Sequence, residues 1–252
     1  MNKSGWIIGV LMLTTTVQAE PGVVLHQTHQ FSAKVQVDTL RTYITATHVR
    51  IEHKDGDAIL DLEDGRLVLL DGHQKTWRQM PLADWETAIQ QAATINGPDV
   101  TQETTVDTAD SSAARTPAFE RIGSPVERAG YQCDRWGLYS RRELLPGDVD
   151  WVEQQIWVAR GLEMPPGAYE AYDRAIRAID SIGMGALVKR PEGVVLASEI
   201  RVGSAKEHEN GSVEVETLTV YRVEQTSLDD AVFEVPPTYA PAVREEGTQK
   251  GE

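Results

Sequence analysis

Cysteine is almost absent from this chain: Cys133 stands alone among 252 residues. An intramolecular disulfide is excluded, and so is a metal site built from several thiolates. Positive charge is scarce too, with 24 Lys and Arg against 39 Asp and Glu and a formal charge of −15. A surface of that sign repels phosphate backbones and anionic membranes, so nucleic acid is not a bulk electrostatic partner, although a local basic patch fits the balance. Long apolar runs are missing as well. The stretch Trp6 to Leu13 has eight residues, against the ~20 needed to span a bilayer core.

Catalytic signatures are missing in the same way. There is no H-E-x-x-H, no G-x-S-x-G and no S-x-x-K, and Gly183-Met184-Gly185 lacks the third glycine of a dinucleotide loop. The histidines His26, His29, His48, His53, His73 and His208 show no ligand spacing; odd separations along a strand send side chains to opposite faces. Asp61, Glu63 and Asp64 read as solvated turn residues. Cys133 has Arg135 near it in sequence but no His within Gly130 to Trp136, so it reads as a small core residue instead of a nucleophile. The expectation is a protein that is not an enzyme, with no catalytic residue, no metal and no cofactor.

Among the features present, Lys3, the short apolar run and the small residues Val17 and Ala19 read as a secretory signal over residues 1–19, cleaved after Ala19. No Cys follows the cleavage point to take a lipid. The expected product is soluble, exported and without an integral membrane segment.

Residues 22–79 alternate apolar and polar positions between the turn signals Asp55-Gly56, Asp64-Gly65 and Asp71-Gly72, which predicts an antiparallel meander. Its strands are Tyr43 to His53, Ala58 to Glu63, Arg66 to Leu70 and Lys75 to Met80. Leu67 to Leu70 is apolar at both parities, so that strand is expected to be covered on both faces. Leu82, Trp85, Ile89 and Ala92 recur at spacings of a helical face, and so do Tyr169, Tyr172, Ile176, Ile179 and Ile182 after Pro165-Pro166. Further strands are predicted over Phe119 to Tyr139, Asp150 to Ala159, Val194 to Val202, Val213 to Val223 and Phe233 to Val235. Residues 97–116 are polar and aperiodic and predict a mobile loop, and 241–252 predict a polar tail. The whole of 20–240 reads as a single β-rich domain of α+β class.

The segments Thr47 to Glu52, Leu67 to Leu70 with Lys75-Thr76-Trp77, Gly130 to Cys133 with Gln155 to Ala159, and Phe233 to Tyr239 resemble a family of uncharacterised bacterial envelope proteins similar to the LolA-type lipoprotein carriers. The resemblance implies a periplasmic setting and a half-open antiparallel β-barrel with two amphipathic helices covering its concave face. It also implies an apolar surface that accepts acyl chains, with Arg50 as the nearest match to a ligand-handling arginine.

The expected function is a periplasmic binding or carrier protein for a lipid, a lipoprotein acyl chain or another hydrophobic ligand. The alternative is a non-enzymatic interaction or sensor module that recognises an envelope protein. A ligand held between sheet and helices is expected to touch Tyr43, Val49, Leu69, Trp77, Trp85, Trp136, Tyr169, Tyr172 and Ile176.

Overall fold

The computed structural model describes residues 19–32, 37–96, 118–145, 148–179, 188–204 and 213–242. The expected signal segment up to residue 18, the expected loop 97–116, Gly183 to Gly185, His208 and most of the expected tail lie outside them. The first half holds β1 (Ala19–Phe31), β2 (Val37–Ile44), β3 (His48–His53), β4 (Gly56–Asp61), β5 (Arg66–Asp71), β6 (Thr76–Pro81) and helix α1 (Leu82–Asn96). The second half holds β7 (Glu120–Arg121), β8 (Val126–Arg128), β9 (Tyr131–Leu145), β10 (Asp148–Ala159), α2 (Ala168–Ile179), β11 (Val195–Ser204) and β12 (Glu214–Asp229). A 3-10 turn (Asp230–Phe233) and β13 (Ala240–Pro241) follow. The strands form one sheet in the order β13-β6-β5-β4-β3-β2-β1-β12-β11-β10-β9-β7, with β8 also on β9. Its pairs are antiparallel except β13 with β6, and its two ends do not meet, so the sheet is not closed.

The Asp-Gly pairs mark hairpin turns as expected, and Gly65 takes a left-handed φ of 65°. The single strand expected from Tyr43 to His53 is in fact two. The turn between β2 and β3 contains no Gly, Pro, Asn or Asp; Thr45 Oγ1 makes it by accepting the backbone N–H of His48 at 3.0 Å. The run from Phe119 to Tyr139 is also divided, into β7, β8 and the start of β9. Phe233 to Val235 is not a strand, because Asp229 accepts the Ala231 N–H at 2.8 Å and starts the 3-10 turn. The expected tail loses its first residue, Pro241, to β13.

One row of residues crosses the sheet in register: Val23, Ile44, Val49, Leu60 and Leu67, all at most 1% exposed. α2 lies over this row. The next row, Tyr43, Arg50, Ile59 and Val68, points to the opposite face. That face is crossed by the chain after β12: Arg50 Nη1 donates to the Val232 carbonyl at 2.7 Å, and the His48 ring stacks on Phe233 with centroids 5.1 Å apart. The two-sided cover expected for Leu67 to Leu70 therefore consists of helices on one face and an extended C-terminal strap near the other. The strap ends beside β6, where Ala242 N donates to Trp77 O at 2.7 Å.

Candidate functional site

The helix-covered face is mostly apolar because most alternate residues of β1 to β5 are, its buried polar pair being Thr42 and Gln27, where the Thr42 hydroxyl donates to the Gln27 amide oxygen at 2.8 Å; α2 fits closely because it meets that face with alanine. Ala168, Ala171, Ala175 and Ala178 are buried with Tyr172, at the 3-4-3 spacing of one helical stripe. The bulkier residues of the expected stripe, Tyr169 and Ile176, flank it half-buried. Small side chains let the helix axis approach the sheet, so the centre of this layer is filled with Val49, Leu60, Leu67 and their neighbours.

Two hydroxyls anchor α2. Tyr172 Oη accepts the Val195 N–H at 3.2 Å, and burial pushes its phenol up to about 12. Tyr169 Oη accepts the Gly193 N–H at 2.9 Å. Gly193 has φ 126°, and a Cβ there would stand 2.5 Å from Val158 Cγ1, so glycine is required. The helices also hold each other. Trp85 Nε1 donates to the Ala178 carbonyl at 2.7 Å, and Arg174 Nε and Nη2 donate to Glu86 at 2.6 and 3.1 Å. α1 sits more loosely than α2: Leu82 is fully buried, Trp85 and Ile89 are half-buried, and the other residues of Ala83 to Gln91 are exposed or half-exposed. Around the filled centre lie half-buried apolar side chains that belong to the same cluster, among them Leu40, Leu69, Met80, Trp85 and Ile176.

Of the nine expected ligand contacts, Val49, Leu69, Trp85, Tyr169, Tyr172 and Ile176 come together in this cluster. Tyr43 does not: it is paired with Arg50 on the opposite face, where its hydroxyl donates to Glu52 at 3.0 Å. Trp77 is paired with Leu70 and faces the same way. Trp136 belongs to a separate small cluster with Ile156, Val158, Val195 and Phe119. A one-residue parity difference puts Tyr43 and Trp77 outside the site, and the sequence carried no mark of which parity the helices cover. Arg50 is likewise turned away from the helices. It is buried, with Nη2 2.5 Å from Asp57 Oδ2, and its Nη1 bond to Val232 ties β3 to the strap.

A shallow groove of about 470 Å3 opens at the β5–β6 turn, lined by Asp55, Leu70, Asp71, Trp77, Arg78 and Ala242 together with Leu69, Gln74 and Thr76. Its carboxylate Asp71 is occupied locally, accepting the backbone N–H groups of His73 and Gln74, and the Gln74 bond leads in holding its pKa below the ordinary value. The described histidines stand beside carboxylates, as in His29 with Glu216 at 2.7 Å and His26 with Glu224 at 3.1 Å. Among the described residues no group of three or more His, Cys, Asp or Glu is arranged to hold a metal ion. No helix among them is long and apolar enough to cross a membrane. Cys133 is fully buried, and burial leads in raising its thiol pKa above the ordinary value.

No protein-family model matches the chain, and no curated protein does. Two solved structures are similar in outline. One, described as PNGF-II in a C2 space group, is 9% identical at a TM-score of 0.36; the match covers 85% of this chain and 30% of that one, so this chain spans under a third of that protein. The other is a DUF1329 family protein from Desulfovibrio piger, 11% identical at a TM-score of 0.26, covering 87% of this chain and 91% of that one.

Proposed function

We propose that this is an exported, periplasmic binding or carrier protein for a hydrophobic ligand, of the half-open barrel type that the LolA-like resemblance implies, and not an enzyme. The observation that carries the proposal is the half-buried apolar rim of Leu69, Met80, Trp85 and Ile176, continuous with the core beneath two helices that are tied to each other by side chains. Because the centre under α2 is filled, an acyl chain enters by moving α1 and the edge of α2 away from the sheet. Each Å2 of chain surface removed from water contributes about 25 cal/mol toward that opening. The expected signal over residues 1–19 supports the periplasmic setting.

The test is uptake of a fluorescent fatty acid by the folded protein, compared with Ile176→Asp. Ile176 is half-buried, so the variant is expected to fold, and an unpaired charge on the rim weakens uptake by about tenfold or more. Thermal unfolding measured alongside separates lost binding from lost fold. If folded wild-type protein takes up no probe across a range of chain lengths and leaves its host without lipid, the carrier reading is abandoned for recognition of an envelope protein.

A further inference from the structure

The arginines of this acidic chain are mostly spent on its own carboxylates. Arg66 pairs with Asp61, Arg174 with Glu86, Arg222 with Glu224, and Arg121 and Arg160 both with Asp134. Arg128 and Arg135 are different. Their guanidinium carbons lie 5.4 and 5.7 Å from the centroid of the same ring, that of Trp157. Among the described residues neither has a carboxylate partner; Arg135 gives Nε and Nη2 to the neutral amide oxygen of Gln155, at 3.1 and 2.5 Å, and the Arg128 side chain donates no hydrogen bond. Two like charges near one indole repel each other; with Nε and Nη2 of Arg135 engaged by Gln155, the donors left for a ligand are its Nη1 group and the guanidinium of Arg128.

Register shows which face they occupy. Arg135 is paired with Trp157 and Cys133 with Ala159, while Arg128 is paired with Tyr131 on β9. Tyr131, Trp157 and Ala159 are half-buried members of the main apolar cluster under the helices, and Cys133 is one of its buried members. The two guanidinium groups thus stand where that core reaches its edge, with free donors beside apolar surface. That juxtaposition suits the head of an amphiphile: the charge meets the arginines and the chain continues onto the core.

We propose that Arg128 and Arg135, beside the Trp157 ring, form a subsite for an oxyanion headgroup, a carboxylate or a phosphate, carried on an acyl or alkyl chain. The inference deepens the carrier reading and rests on it, since the chain lies against the surface described above. Negative charge elsewhere on the protein disfavours anionic amphiphiles at random positions, which leaves this subsite to orient them.

The experiment compares dodecyl phosphate, dodecanoate, dodecanol and inorganic phosphate as titrants for the wild type, the double variant Arg128→Gln/Arg135→Gln, and Arg121→Gln, whose arginine is already paired with Asp134. Melting curves confirm that each variant is folded. Wild type is expected to bind the two anionic amphiphiles at least about tenfold more tightly than dodecanol, the increment of one charge-assisted contact. The double variant is expected to lose that preference while keeping dodecanol affinity, and Arg121→Gln to keep both. Equal affinity for dodecanol and its anionic analogues in wild type, or an unchanged preference in the double variant, overturns the headgroup subsite and leaves the carrier reading standing. Inorganic phosphate binding as tightly as dodecyl phosphate shows a free-anion site and overturns the amphiphile assignment. Failure of all the amphiphiles to bind overturns the headgroup subsite, and, from protein that also leaves its host without lipid and takes up no probe of other chain lengths, the carrier reading with it.

Discussion

Cys133 illustrates how a residue can be chemically conspicuous and yet structural. It is the one thiol in the chain, fully buried where β9 meets β10, and burial shifts it away from the thiolate at neutral pH. A disulfide-forming colour reagent is expected to label the native protein far more slowly than the protein in urea, and Cys133→Ser is expected to cost about 1 to 3 kcal/mol of stability. Native labelling at the denatured rate contradicts the buried placement. Tyr172 gives a pH signature. Its phenol is raised from the ordinary 10.0 to about 12 in the folded protein, so the folded state keeps a proton that the unfolded chain releases first. The associated stability is complete below pH 10 and is lost as pH rises through 12, a loss of about 2 to 3 kcal/mol. Urea melts from pH 9 to 12 are expected to show this decline in wild type and a shallower one in Tyr172→Phe. Parallel declines in the two proteins contradict it.

The elements themselves were largely legible in the sequence. Asp55-Gly56, Asp64-Gly65 and Asp71-Gly72 carry their turns in local chemistry, α1 begins where apolar periodicity changes from two to near 3.6, and α2 follows Pro165-Pro166. The turn at Thr45 was not legible, because threonine favours strands and its hydroxyl marks a turn more weakly than Asn or Asp. Nor was the burying face of α2. Tyr169, Tyr172 and Ile176 mark an apolar stripe, but of the three only Tyr172 is buried, and closeness to the sheet selects the adjacent alanines for the rest of the centre. The Trp85–Ala178 and Arg174–Glu86 ties join residues about ninety positions apart and leave no local trace. They make α1 dependent on α2, which yields a test. Trp85→Phe removes the indole donor, and amide exchange over residues 82–91 is expected to accelerate by about fivefold or more while β1 to β5 are unchanged, as for loss of one hydrogen bond of about 1 kcal/mol. Unchanged exchange in α1 shows that the tie does not hold it.

At the scale of the molecule, an open sheet has its two faces covered by different means, a pair of helices on one side and the strap after β12 on the other. Arg50 is committed to the strap, so the face that carries the proposed function is the helical one, where a filled centre is bordered by half-buried apolar groups and by Arg128 and Arg135. The central claim is that this face holds a hydrophobic ligand in the cell envelope. Native mass spectrometry of the protein isolated from its own host without detergent tests it most directly. The account predicts a population heavier than the bare chain by the mass of one amphiphile, which is released when the helices are unfolded by mild activation. A single species at the mass of the bare chain, from protein that also takes up no added lipid, contradicts it.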